Sequence, residues 1–168
     1  MLNRAELVRL LLRIAVIAGV LVLILSFCFT FRQAKGQDMF PAVKDGDLCV
    51  IFRRQLMSLL GEKFSPDDVI SYTVNGERHT GRVIAVAGDR VEIDSRGNLK
   101  VNGVAKGGEI LYPTYTRGDL INITTVSSNS VFVLGDYRTQ AEDSRDFGPI
   151  PLDDIEGKVI TILRRRGL

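Results

Sequence analysis

The chain has 168 residues, 45% of them apolar and 25% charged, which allows one globular core and excludes a second full-sized domain. With 16 Gly, 5 Pro and no Trp, and no low-complexity run, the composition is that of an ordinary folded chain. The formal net charge of +2 supplies no overall basic field for neutralising phosphates, so nucleic-acid binding is not expected.

That charge is an average over two unlike parts. Residues 1–35 carry Arg4, Arg9, Arg13, Arg32 and Lys35 against Glu6, a balance of +4, while the remainder holds 17 basic and 19 acidic groups, or −2. Ile14 to Phe31 is an 18-residue stretch without a charge, broken only by Gly19, Ser26 and Thr30, and it is long enough to span a bilayer. Its twelve Leu, Ile, Val and Phe residues contribute roughly −4 to −7 kcal/mol towards insertion. The run exceeds the core of a cleavable secretory signal and no small-x-small cleavage pattern follows it, so an uncleaved anchor is expected. The division is then a basic N-terminus over residues 1–13, a transmembrane helix over 14–31 and a separate domain over 36–168. Three Arg before the span and two basic residues after it favour a cytoplasmic N-terminus by a narrow margin. Cys28 lies in the apolar run and Cys49 beyond it, so no disulfide framework is expected.

From Gly36 onward the pattern is strand-like. Leu48 to Phe52 is a short apolar run, and Val69 to Val74, Asn75-Gly76 and Glu77 to Val86 predict a hairpin whose tight turn needs positive φ. Val83 to Ala87 and Val91 to Ile93 flank Gly88-Asp89, Leu99 to Val101 precedes Asn102-Gly103, and Val131 to Leu134 precedes Gly135-Asp136. Short strands between such turns predict a mainly β fold, a barrel or sandwich of antiparallel strands, rather than βαβ units. Beyond the anchor, Arg53 to Leu60 is the helical candidate, and Gly107 to Ile123 reads as a polar loop or hairpin. Gly-Asp recurs at 46, 88, 118 and 135 at irregular intervals, which is turn chemistry and not a repeat.

Three blocks carry the chemistry. Gly36-Gln37-Asp38-Met39-Phe40-Pro41, followed by Asp45-Gly46-Asp47, comes directly after the anchor. Gly81-Arg82-Val83-Ile84-Ala85-Val86-Ala87-Gly88-Asp89 forms the second block. Val133-Leu134-Gly135-Asp136-Tyr137-Arg138, then Glu142-Asp143-Ser144-Arg145-Asp146, forms the third. In this order, behind an N-terminal span, they resemble the type I signal peptidases, membrane-anchored serine proteases that cleave leader peptides from exported proteins. The resemblance runs from the anchor to Gly157-Lys158-Val159.

The resemblance implies a signal-peptidase-like β domain outside the membrane, with the N-terminus cytoplasmic. In that family the first block reads Gly-x-Ser-Met-x-Pro with Ser as nucleophile, and the second reads Lys-Arg-Val-Ile-Gly with Lys as general base. A serine hydroxyl needs such a base, and a lysine serves near neutral pH only when burial lowers its pKa. Here the nucleophile position is Asp38, the base position Gly81, and Ala141 stands where the family's base-orienting Ser belongs. Loss of the nucleophile alone costs on the order of a million-fold in a serine hydrolase, and an anion about 4 Å from a developing oxyanion adds about 4 kcal/mol at an effective dielectric near 20. The chain is therefore expected not to be an enzyme.

By the same resemblance it is closest to inactive signal-peptidase-like proteins of Gram-positive cocci associated with sortase-linked pili. The expected role is that of a membrane-anchored accessory or chaperone that binds a pilin subunit or a pilus sortase segment without cutting it. The candidate peptide cleft is Asp38, Met39, Phe40, Pro41 and Gly81, with a membrane-contacting rim as the other reading of Met39 to Pro41. Arg82, Asp143 and Arg145 resemble the family's structural charge network. The alternative is an active peptidase with a non-standard mechanism that uses Asp38. An aspartic protease would need a second carboxylate motif, which is missing. His79, the single histidine, is expected to be solvated or structurally bonded, although its strand places it on the same side as Gly81, where a pair with Asp38 is conceivable. No metal-ligand spacing and no cofactor motif occur. Arg164 to Arg166 reads as a solvated basic tail or a contact for anionic lipid.

Overall fold

A computed structural model of the chain describes residues 3–106, 113–117 and 123–164. Its first element, α1 (Arg4–Cys28), is a 25-residue helix that buries none of its residues against the rest of the protein and has a mean hydropathy of 2.8 over its best window. At 1.5 Å per residue it is about 37 Å long, which exceeds the roughly 30 Å of a bilayer's hydrocarbon core. The helix stops earlier than the expected span. Phe29, Thr30 and Phe31 belong to strand β1 (Phe29–Gln33), which pairs antiparallel with β2 (Leu48–Arg53) from Phe29↔Phe52 to Gln33↔Leu48. An apolar run cannot mark this change itself, because Phe serves a lipid-facing helix and a half-covered strand equally well.

The helix Arg54–Leu59 (α2) occupies the segment where Arg53 to Leu60 is expected to be helical. Strands β3 (Val69–Val74) and β4 (Glu77–Val86) form the expected hairpin, and its turn residues Asn75 and Gly76 sit at φ 52° and 82°. Such angles suit a two-residue type I′ turn. The chain then builds β5 (Arg90–Ile93), β6 (Leu99–Val101), β7 (Val104–Ala105), β8 (Ile123–Thr125), β9 (Ser130–Leu134), the short helix α3 (Ser144–Phe147), β10 (Ile150–Pro151) and β11 (Ile155–Leu163). The loop expected over Gly107 to Ile123 lies largely outside the described residues, as does the Gly-Asp pair at 118.

Two antiparallel sheets result, a seven-stranded one in the order β1-β2-β11-β3-β4-β9-β10 and a four-stranded one in the order β7-β6-β5-β8. The mainly β architecture of antiparallel strands is as expected. One apolar cluster joins the sheets through Ile84, Ala85, Val91, Ile93, Leu99, Phe132 and Leu134. A second, under β3, β4 and β9, contains Ile70, Tyr72, Val83, Val131 and Val133. A third packs Ala34, Met39, Val43, Cys49 and Ile51 beneath the segment after β1. Cys28 and Cys49 are free thiols. Near the anchor, Phe31 and Ile160 expose their side chains beside Val50 and the Val22 and Leu25 face of α1, so an apolar surface continues from the helix onto the sheet.

Two expectations about the surface change. Met39 is buried in the third cluster and cannot line a cleft, whereas Phe40 is half-buried against Tyr137 and Pro41 is exposed. Arg164 is not a free tail, because its guanidinium lies 3.4 Å from the buried Asp47 carboxylate and donates to the Ala42 carbonyl at 3.1 Å. Arg165 and Arg166 lie outside the described residues.

Candidate active site

Asp38 sits in a turn after β1, fixed by its backbone. The Phe40 amide donates to Gln37 O at 2.9 Å, and the Tyr137 amide donates to Asp38 O at 2.9 Å. The second bond ties the first sequence block to the third. Gly135 makes this approach possible: a Cβ there would lie 2.6 Å from the Asp38 carbonyl oxygen and would overlap the Ala141 Cβ. Ala141, fully buried, is thus the counterpart of a glycine across a close backbone contact.

The Asp38 carboxylate faces His79. His79 Nδ1 and Asp38 Oδ2 are 3.7 Å apart, with side chains 10% and 26% exposed, so the two side chains face each other at a distance longer than a hydrogen bond. His79 is therefore neither solvated nor remote. It stacks on Tyr72 at 5.7 Å between centroids and packs edge-on against Phe147 at 5.3 Å. Burial pushes the Asp38 pKa up, His79 pulls it back, and Glu142 and Asp143 raise it further. Removal from water penalises the charged form, and a facing imidazole returns part of that cost.

Gly81 lies two residues along β4 and is buried. A Cβ at this position would run into Val133 Cγ1 and approach Tyr72 Cε1 to 3.3 Å. The space beside Gly81 is filled by neighbours. Tyr72, directly opposite His79 in the β3–β4 register, is wholly buried, and its hydroxyl has no hydrogen-bond partner among the described residues. Burial and the fields of Asp143 and Asp38 hold its pKa well above the usual tyrosine value.

The charged residues of the network form two separate pairs. Asp143 and Arg145 are buried together, 1% and 2% exposed, with Arg145 Nη2 at 2.7 Å and Nε at 2.8 Å from the two carboxylate oxygens. The same carboxylate accepts the Gly135 amide at 3.1 Å and the Arg145 amide at 3.0 Å, so each oxygen is doubly bonded into the scaffold. Arg82 instead holds Asp136 through a bidentate contact at 2.9 and 2.7 Å. The sequence reading groups Arg82 with Asp143 and Arg145, but the alternate-residue geometry of β4 turns it towards Asp136, whose partner a linear motif does not name.

The structure thus brings together Asp38, His79, Gly81 and Ala141 and adds Tyr72, Val133 and Gly135, which the motifs do not single out. Tyr72 was within reach of sequence reasoning. A two-residue turn at Asn75-Gly76 fixes the register that sets Tyr72 against His79 and Ile70 against Gly81.

Compared with known families, residues 7–163 match the family model described as signal peptidase, peptidase S26. The chain belongs to the signal peptidase family. Signal peptidase IB of Staphylococcus aureus is 31% identical over 93% of this chain and 88% of its own length. Signal peptidase I of Bacillus caldolyticus is 28% identical over 79% of this chain and 78% of its own. The crystal structure of a signal peptidase I from Enterococcus faecalis V583 is 29% identical, with a TM-score of 0.51 over 60% of this chain and 98% of that one. These relatives correct the expectation that the chain is not an enzyme. The relatives that match over most of its length are named signal peptidases. The long apolar helix fits a membrane anchor of such a protein.

Proposed function

We propose that the chain is a membrane-anchored peptidase that hydrolyses a leader-type segment of exported proteins by a mechanism in which Asp38 replaces the Ser/Lys pair. The single observation that carries this is the Asp38–His79 contact, in a chain of the signal peptidase family whose motif resemblance puts Asp38 where the nucleophile would be. A carboxylate in that place cannot act as a serine does, but it can hold a water molecule. The water gives one proton to Asp38 as its oxygen attacks the peptide carbonyl carbon. The carbon–nitrogen bond then breaks, the proton passes to the leaving amine, and the remaining oxygen and hydrogen complete the new carboxylic acid. Because Asp38 becomes neutral as negative charge grows on the carbonyl oxygen, the repulsion of a fixed anion is removed at the moment that matters. Partial burial, which raises its proton affinity, makes it a better base, and His79 holds the carboxylate in place.

The sheet offers a place for an extended peptide. Strand β4 pairs with β3 along Glu77 to Arg82, but its ladder with β9 begins only at Arg82↔Leu134. The edge of β4 beside His79 is therefore open to strand addition among the described residues. With the N-terminus in the cytoplasm, the domain would meet precursors on the outer face of the membrane. Pilin subunits and the sortase that joins them are the exported partners we propose.

A nucleophile trap tests the mechanism. The full chain in proteoliposomes is incubated with a synthetic leader peptide and hydroxylamine. Direct attack by water gives free carboxylic acid and no hydroxamate, whereas trapped hydroxamate shows an acyl-enzyme, and an uncut peptide overturns the reading.

A further inference from the structure

A cavity of about 590 Å³ opens beside α2, within the size range of binding pockets. Its wall is apolar: Met57 and Val131 are buried, and Phe64, Val86 and Leu152 lie partly covered on the second core cluster. On its rim, between the lining residues Ser58 and Gly61, stand Leu59 and Leu60, 76% and 63% exposed. Two leucines turned to water beside an apolar hollow that they do not fill form a surface suited to a partner.

The charges around the cavity narrow the choice of that partner. Arg54 and Lys63 stand with Glu62 and Asp153, a formal sum of zero, so an anionic lipid surface finds no net attraction there. Glu62 and Lys63 are exposed and form no ion pair among the described residues. Asp153 meets Arg54 at 3.1 Å and is 76% exposed, which leaves it a free side. A partner with both signs of charge and an apolar projection answers these features, and a second copy of this chain carries all of them. The membrane helps to bring the copies together. Phe52, two residues before α2, packs against Phe29, the cap of α1, at 5.5 Å between centroids. The segment therefore starts where the chain leaves α1, and two copies anchored in one membrane present it at the same height, at a raised effective concentration.

We propose that two copies pair here about a two-fold axis along the membrane normal, each placing Leu59 and Leu60 in the other's cavity. Glu62 and Asp153 of one copy then face Lys63 and Arg54 of the other, the self-complementary arrangement that such an axis requires. The contact lies at the Val86 end of β4, seven residues from His79, or about 23 Å along a strand. It leaves Asp38 and the open edge of β4 uncovered, and it does not depend on the peptidase reading.

The test is disulfide capture with the full chain in proteoliposomes at high lipid dilution, in a Cys28→Ser background. One tagged chain carries Leu59→Cys, and a second, differently tagged, carries Ala87→Cys in the cavity wall. Mild oxidation is expected to give a mixed covalent dimer. Adding Leu60→Asp to both chains should lower its yield about tenfold or more, the factor that burial of one leucine is worth, while the unfolding temperature stays unchanged because the position is exposed. Chance collision is measured with Arg96→Cys, in the exposed turn after β5, in place of Ala87→Cys. A mixed dimer no more abundant than that control, the result expected if Leu59 and Leu60 rest in lipid instead, overturns the assignment. A yield that Leu60→Asp leaves unchanged overturns it as well.

Discussion

Two polar centres lie side by side in this domain, and they are built on opposite terms. At Asp143 every carboxylate oxygen is committed, to the Arg145 guanidinium and to two backbone amides. At Asp38 the carboxylate meets one imidazole at 3.7 Å, and the hydroxyl of the tyrosine behind that imidazole has no hydrogen-bond partner among the described residues. Both centres are in the interior or at its edge, where an unpaired polar group is expensive. The first is saturated and holds loops together. The second is left short of partners, as is common for a site that awaits an additional molecule.

The comparison is broken most forcefully at the saturated centre. Asp143→Ala strands the Arg145 charge and the Gly135 amide together, and urea unfolding of the detergent-solubilised chain is expected to show a loss of about 3–5 kcal/mol. A loss below about 1 kcal/mol would mean that the buried pair is not the clamp described here.

A smaller effect is expected at Gly81. The Cβ of Gly81→Ala meets Val133 and Tyr72, an overpacking that costs about 1–3 kcal/mol. Adding Val133→Ala should return part of that loss, with a coupling of about 0.5–3 kcal/mol in a double-mutant cycle. Strict additivity would show that the two positions do not compete for space. The same crowding predicts that Asp38→Ser with Gly81→Lys will not by itself rebuild a serine–lysine pair, because the lysine has no channel past Val133.

The smallest effect concerns pH. The folded-state pKa of Asp38 lies above the ordinary carboxyl value of 3.8, through burial first, with Glu142 and Asp143 adding to the shift and His79 opposing it. A carboxyl with a raised folded pKa contributes stability that is full below 3.8 and is lost as pH rises through the folded value. Asp38→Asn should therefore be slightly more stable than wild type at pH 7, and that advantage should vanish once the pH falls below the ordinary carboxyl value. An advantage that grows on acidification contradicts the assigned direction.

Much of the fold was legible because local chemistry decides it. Asn75-Gly76 and Asn102-Gly103 announce turns that need positive φ, and all four residues have it. The boundary at Phe29 was not legible, because lipid and sheet reward the same apolar side chains. Within the site, Asp38, Gly81 and Ala141 could be placed by motif order. The burial of Met39 and the pairing of Arg82 with Asp136 could not be placed that way, since each depends on contacts set by tertiary packing. His79 shows the limit most clearly. Strand alternation makes a pair with Asp38 conceivable from the sequence, but only the turn after β1 brings the carboxylate to it.

The central claim is that Asp38 does the work that the family gives to serine and lysine. It is tested by the kcat/KM of the full chain in proteoliposomes on a synthetic leader peptide, wild type against Asp38→Asn, from pH 5 to pH 8. The account predicts cutting by the wild type and a loss of at least about 100-fold in the asparagine variant, which keeps the shape but not the base. Equal rates for the two proteins, or no cutting by the wild type at any of these pH values, would contradict it.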